Sequence, residues 1–228
     1  MKKDDWLSTV VSRDCYILLD SDVPTMVKSD FYTDAFYTCR TLATSSYQQD
    51  CLLKLGFRSI LTEVEFCGDV SAEAQSSSTS RVRAAVRSDR DKVLKIASTS
   101  FRYDRFHTDS CISRQKADQI KEFWVASALD DESVKDVWVA EYGREIAGFC
   151  LTMQSSGAVR IDLIAVASEF RGLGIGTSLV TALPSCLDQE TVRIVAGTQQ
   201  RNSESCRLYK KLGMTITLSR DVYHSGFF

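Results

Sequence analysis

At 228 residues the chain is long enough to bury a substantial core, as one large domain or two small ones. Apolar residues make up 44% and charged residues 25%, with a formal net charge of −2, the balance of an ordinary globular protein. No overall basic field recruits nucleic acid or acidic membranes, and no stretch approaches the roughly 20 apolar residues of a membrane span.

The opening "MKKDDWLSTV" lacks the apolar core of a secretion signal, so a cytoplasmic protein with reduced thiols is expected. The eight cysteines agree with this, because the nearest two in sequence, Cys39 and Cys51, are twelve positions apart and no CxxC occurs. With only His107 and His224 as histidines, no metal-ligand spacing exists either. "SAEAQSSSTS" (71–80) is small and polar, which predicts a linker at 77–80 between an N-terminal segment, 1–76, and a main domain, 81–228. About 70 residues are marginal for independent stability, so the N-terminal segment is expected to pack on the main domain.

"RVRAAVRSDRDKVLKIASTSF" reads as a short strand and then a helix opening near Ser88 or Asp89, with Val93, Leu94, Ile96 and Ala97 on its apolar face. A second helix is predicted across 114–129, with a core stripe of Ala117, Ile120, Phe123, Trp124 and Ala128. Three strands come next at 136–142, 145–153 and 158–167, separated by the turn signals "YGRE" and "QSSG". A glycine-rich turn then opens a helix, 191–197 reads as a strand, and 203–212 as a helix closed by Gly213. "MTITLSRDVYH" completes the pattern as a strand. This order predicts a mixed α/β protein with a mainly antiparallel central sheet, unlike the regular βαβ repeat of a dinucleotide-binding fold.

"LLKLGFRSILTEVEF" (52–66) and "YKKLGMTITLSRDVY" (209–223) both run helix end, Leu-Gly-apolar, strand. A helix C-cap before a strand is common, but the shared order also suits a partial, degenerate internal copy. The first copy has no glycine turn, and Leu52 stands where the second has Tyr209.

In "EFRGLGIGTSLV" (169–180), Gly172, Gly174 and Gly176 alternate behind Arg171. Without Cβ atoms the backbone can approach a ligand and aim successive N–H groups at it, and the helix end adds partial positive charge. A phosphate or pyrophosphate is the expected ligand, with Arg171 adding a charge-assisted contact. The Walker template fails for want of its lysine, and GxGxG placed late in the domain does not fit the Rossmann fingerprint.

"IAVASEFRGLGIGTSLV" (164–180) resembles the acetyl-CoA loop of the GNAT (Gcn5-related) N-acetyltransferase family. "NSESCRLYKKLGM" (202–214) resembles the Asn-x-x-Ala-x-x-Leu-Tyr-x-x-Leu-Gly-Phe segment of the same family, with Ser205 for alanine and Met214 for phenylalanine. The resemblance implies a GNAT fold extended by an N-terminal partial GNAT-like segment, and acetyl-CoA-dependent transfer to an amine without a covalent enzyme intermediate. It implies that Ile164, Ala165 and Val166 meet the pantetheine arm and that Arg171, Gly172, Leu173, Gly174, Ile175, Gly176 and Thr177 surround the pyrophosphate. Asn202 and Tyr209 complete the cofactor site, and Tyr209 is the expected general acid for the departing thiolate. A backbone N–H near Ile164 to Val166 is the expected oxyanion donor. Asp162 is the nearest carboxylate for a general base, and Glu122, expected on an exposed helix face, is the weaker choice.

The acceptor is expected at "SFRYDRFHTD" (100–109), where Arg102, Tyr103, Arg105, His107 and Asp109 suit a large polar molecule and two arginines suit a nucleotide diphosphate. With the extra N-terminal region, this segment resembles the GNAT branch of TDP-fucosamine acetyltransferases. That implies a nucleotide-linked (TDP- or UDP-) amino deoxysugar as acceptor and a role in surface polysaccharide synthesis. Peptide N-termini, polyamines and antibiotic amines stand as alternative acceptors, and a non-catalytic acyl-CoA-binding module as the alternative of another class. Ser110 stands where relatives often have proline. Pro184 is placed to kink or shorten the helix after the glycine turn. Homodimerisation is left open, and no nucleic acid, membrane or metal is expected.

Overall fold

A computed structural model of the chain describes residues 1–71, 80–130, 136–155 and 157–226. The first part forms Lys2–Lys3 (β1), Asp5–Val11 (α1), Cys15–Leu18 (β2), Phe36–Leu42 (β3), Ser46–Lys54 (α2) and Arg58–Ser71 (β4). Asp4 caps α1 by accepting from the amide of Leu7. Gly56, at φ +92°, ends α2 in a left-handed turn that only glycine adopts without strain. Next come Arg81–Ala84 (β5), Arg90–Ser100 (α3), the short Arg105–Thr108 (α4) and Arg114–Asp130 (α5). The meander is Asp136–Tyr142 (β6), Glu145–Ser155 (β7) and Ala158–Val166 (β8). Ile175–Thr181 (α6), Leu183–Cys186 (α7), Thr191–Gln199 (β9), Ser203–Lys211 (α8) and Thr215–Ser225 (β10) complete the chain.

The ten strands form one sheet in the order β1-β2-β3-β10-β4-β9-β8-β7-β6-β5. It is antiparallel except where β2 pairs with β3 and β8 with β9, so the mixed, mainly antiparallel architecture read from the sequence is the one observed. The Leu-Gly-apolar echo has a structural counterpart. A parallel pair, a helix and a strand recur as β2/β3–α2–β4 and as β8/β9–α8–β10. The last strands are exchanged: β4 pairs with β9, β10 pairs with β3, and β4 and β10 lie antiparallel to each other between them.

On one face of the sheet Leu179, Leu183 and Tyr209 pack with Phe66, Ile161 and Ile194. On the other, Val93 and Ile96 of α3 and Val125 of α5 pack with Val139, Phe149 and Leu163. Ile161 and Leu163 therefore lie on opposite faces although they are two residues apart. The cause is a bulge: the register of β8 on β7 shifts between Ile161 and Leu163, leaving Asp162 as the extra residue.

One expectation of detail is met and one is not. The helix after the glycine turn is two short helices, because Pro184 sits in the first turn of α7 and cannot continue α6. Phe123 is exposed rather than in the core stripe, while Lys121 and Val125 are buried. At about 100° per residue the stripe through Ala117, Ile120, Trp124 and Ala128 includes positions 121 and 125 and leaves 123 well to one side. The linker expected at 77–80 lies, except for Ser80, outside the described residues.

Candidate active site

Strands β8 and β9 pair only from Val159↔Ile194 to Ile161↔Ala196 and then diverge. The pairing of β8 with β9 is not continued beyond Ile161, while β7 stays paired to β8 from Leu163 to Val166. The opening between the strands is one wall of a cleft of about 700 Å³ that runs from the glycine turn to Arg40 and Glu63 of the N-terminal half.

At one end the glycine turn is bound by a few backbone contacts: Phe170 N to Ala167 O, Arg171 N to Ser168 O, and Ser178 N to Gly174 O. Among the described residues the amides of 172–177 have no backbone acceptor. Gly172 (φ +79°) and Gly174 (φ +80°) hold left-handed conformations, and a Cβ at either would project into open space. Gly148 has a different purpose: a Cβ there would meet the Ala165 carbonyl at 2.7 Å and the side chains of Ile175 and Leu179, so its absence lets α6 lie close on β7. Arg171 is tied back by Nε to the Val166 carbonyl at 3.3 Å.

Tyr209 is buried in the middle of the cleft wall, its ring 5.4 Å from that of Phe66. Burial, with Cys150 and Cys206 nearby, pushes its phenol well above the ordinary tyrosine range. Asn202 lines the cleft as the N-cap of α8, accepting from the Ser205 amide at 3.2 Å.

The other end is charged and aromatic. Asp162, aimed by the bulge, accepts from the indole N–H of Trp124 at 3.1 Å. One turn earlier on α5, the Lys121 ammonium lies 4.9 Å from the Trp124 ring, 5.1 Å from that of Phe101 and 5.8 Å from that of Phe106. Burial lowers its pKa, and the neighbouring Arg105 pushes the same way against the pull of Asp104, Asp162 and Glu63. Burial alone would raise the Asp104 carboxyl, yet Lys121 and His107 hold it well below the usual range. Glu63 is likewise lowered against the effect of its burial by Arg40, which bonds it at 2.8 Å.

Most of the residues singled out from the sequence meet in this cleft: Asp162, Ile164, Ala165, Val166, Arg171, Gly172, Gly174, Ile175, Gly176, Thr177, Asn202 and Tyr209, with Arg102, Tyr103 and Arg105 at the acceptor end. Leu173 is at the exposed tip of the turn, and His107 is turned inward between Asp104 (2.5 Å) and Asp118 (2.9 Å). Arg105 is buried and donates to the Thr38 hydroxyl at 2.9 Å, with its pKa lowered by burial to about 10. Asp109 is committed to His224 and Arg58, and Glu122 is exposed outside the cleft. Sequence reasoning missed Arg40, Glu63 and Lys121. For Lys121 a signal existed, since a lysine four residues from both Ala117 and Val125 interrupts an otherwise apolar stripe.

The site is thus a cleft in a mixed sheet, between two diverging parallel strands and beside a glycine-rich helix start. Residues 93–214, just over half of the chain, match the acetyltransferase (GNAT) family, and the chain belongs to that family. It is 29% identical over 137 residues to the spore coat polysaccharide biosynthesis protein SpsD of Bacillus subtilis, covering 60% of this chain and 47% of that protein. The chain thus spans about half the length of that curated relative. Two solved structures share the fold. One is a conserved protein of unknown function from Staphylococcus epidermidis, with a TM-score of 0.63 at 14% identity over 85% of this chain and 73% of that one. The other is a GCN5-related N-acetyltransferase from Kribbella flavida, with a TM-score of 0.59 at 8% identity over 93% and 81%.

Proposed function

We propose that this chain is a cytoplasmic, acetyl-CoA-dependent N-acetyltransferase whose acceptor is the amine of a nucleotide-linked (TDP- or UDP-) amino deoxysugar. The observation that carries the reading is the continuity of the cleft from the glycine turn, past Tyr209, to the aromatic and charged end at Trp124 and Lys121. The likeness to a spore coat polysaccharide protein supports a sugar acceptor.

The residues present fit acetyl-CoA. Six successive amides, 172–177, without backbone acceptors suit a pyrophosphate, and the open space at Gly172 and Gly174 lets it approach them. When bound, acetyl-CoA supplies an acetyl group activated as a thioester. Beyond its pairing with β9, the cleft edge of β8 around Ile164 offers backbone groups to its arm, as a strand edge does to a peptide. Asp162, oriented by Trp124, takes the proton that the acceptor ammonium must lose. Tyr209, kept protonated by its raised pKa, gives its proton to the departing sulfur. The Arg40–Glu63 pair closes the far end and holds Arg105 and Lys121 beside opposite charge.

The test is thiol release from acetyl-CoA with TDP- and UDP-linked amino deoxysugars, with peptide and polyamine amines as controls. A nucleotide sugar is expected to be the fastest acceptor. Thiol release with only the non-sugar amines would refute the reading.

A further inference from the structure

The acceptor end holds one group that the transfer chemistry above does not use. Lys121 is only 5% exposed, yet its ammonium faces the cleft. Its ion-pair partner, Asp104 Oδ1, is 3.8 Å away, beyond hydrogen-bond reach, and among the described residues no acceptor bonds it. The rings of Phe101, Phe106 and Trp124 surround it without satisfying its three N–H donors. An ammonium removed from water and left without an acceptor is costly, and a ligand oxygen entering the cleft relieves that cost.

The surroundings indicate which oxygen. Apart from exposed Arg102, and from Arg160, which is paired with Glu65, the buried and half-buried charges at this end are Arg40, Arg105 and Lys121 against Glu63, Asp104 and Asp162. A phosphate or carboxylate would upset that balance beside three carboxylates, whereas a neutral hydroxyl would not. Trp124 touches Lys121 with its ring and Asp162 with its N–H, so the two groups flank one indole. The aromatic walls suit the C–H faces of a ring. We infer that Lys121 binds a hydroxyl on the carbon next to the acceptor amine while that amine lies at Asp162, so the acceptor is a ring-borne amino alcohol and Lys121 determines specificity for it. This rests on reading the cleft as an amino-sugar site.

The experiment compares wild type, Lys121→Met and Lys121→Gln on two matched acceptor pairs with acetyl-CoA. One pair is a TDP-linked amino deoxysugar and its analogue lacking the hydroxyl beside the amine. The other is trans-2-aminocyclohexanol and cyclohexylamine. Wild type is expected to favour the hydroxylated member by about 10- to 100-fold in kcat/KM, the value of a hydrogen bond to a charged group. Lys121→Met should lose that preference, and Lys121→Gln, which keeps an N–H donor, should retain part of it. The KM for acetyl-CoA should stay within about threefold, while Tm should fall in Lys121→Met because buried Asp104 loses a cation beside it, so the preference is read on folded enzyme well below that Tm. No preference in wild type, a preference that survives in Lys121→Met, or equal losses on both members would overturn the role of Lys121. Discrimination within the cyclohexyl pair without acylation of the nucleotide sugar would support the lysine's role and remove the sugar reading. Acylation of neither pair by wild type would overturn both.

Discussion

One order of elements, a parallel pair, a helix and a strand, recurs in the chain, and of these two copies of the order only the second borders a cleft. In the N-terminal copy, β2 and β3 run parallel and the segment between them supplies Val23, Met26 and Phe31, which pack with Tyr37, Leu52 and Tyr223. The Tyr37 hydroxyl accepts from the Tyr32 amide at 2.6 Å and closes that segment down. In the C-terminal copy, the segment after β8 is the glycine turn, and the space beyond the splayed strands is a cleft. Leu52 and Tyr209 hold equivalent places at the ends of their helices and both are buried, but one is sealed among apolar and aromatic side chains while the other borders the cleft. The same unit becomes a plug or a channel according to what its connecting segment puts in the gap, so the chemistry belongs to the site and not to the fold.

The largest effect is expected where one copy has Leu52 and the other Tyr209. Tyr209→Phe keeps the ring against Phe66 and removes the proton, so turnover should fall by about 100-fold or more while acetyl-CoA affinity stays within about threefold. Calorimetry and steady-state rates check the two halves of that statement. Leu52→Ala should behave in the opposite way, costing about 2–5 kcal/mol of stability with no change in the pH profile of the folded enzyme. Unchanged turnover in Tyr209→Phe would remove the tyrosine as the acid and most of the contrast with Leu52.

A second test breaks the exchange of strands between the copies. Near the end of β10, His224 is buried against Phe36 of the N-terminal half, with Nδ1 2.8 Å from Asp109. Burial pushes its pKa down to about 4 against the pull of Asp109. The unfolded chain then binds a proton below about pH 6.5 that the folded chain refuses, so stability is full above that pH and falls as pH drops towards 4. The expected loss over this window is about 3 kcal/mol. His107 contributes with the opposite sign: its pKa is raised, despite its burial, by Asp104 and Asp118, so its contribution is full below about pH 6.5 and fades as pH rises through its folded pKa. Denaturant midpoints between pH 7 and 4 should show the acidic slope in wild type and a flatter one in His224→Phe. A slope that survives the substitution would assign it to carboxylates elsewhere.

How much of this was legible depends on how local the cause is. The meander and the glycine turn are written in neighbouring residues, by alternation and by Gly172, Gly174 and Gly176, and they appear where the sequence places them. The bulge at Asp162 leaves no trace in "AVRIDLIAV", where apolar residues alternate without interruption. Only the pairing partner shows that Ile161 and Leu163 face different layers. Arg40 and Glu63 reach the cleft through pairings far apart in sequence, β3 with β10 and β4 with β9. The charged segment 100–109 reads as an acceptor site, yet Arg105, His107 and Asp109 find Thr38, Asp104, Asp118, His224 and Arg58 and fold inward. A charge pattern reveals that partners are needed, not which residues supply them.

The smallest effect gives the sharpest comparison, because it equates the backbone cost in the two copies. Gly56 at φ +92° and Gly174 at φ +80° are both left-handed, and a Cβ at either would meet nothing within 4 Å. Alanine at each therefore adds conformational strain without a clash, about 1–2 kcal/mol. For a chain of this size that lowers Tm by a few degrees, roughly 2–8 °C, in both variants. Their ligand responses should diverge. Gly56 ends α2 in the closed copy, and its replacement should leave acetyl-CoA affinity unchanged. Gly174 is the N-cap of α6 and lines the cleft, and strain there is relieved by moving the neighbouring amides apart, so acetyl-CoA should bind about tenfold more weakly. Equal affinity in both variants would mean that the turn is held for the packing of α6 on β7 alone, and that the open copy differs from the closed one in shape but not in what it binds.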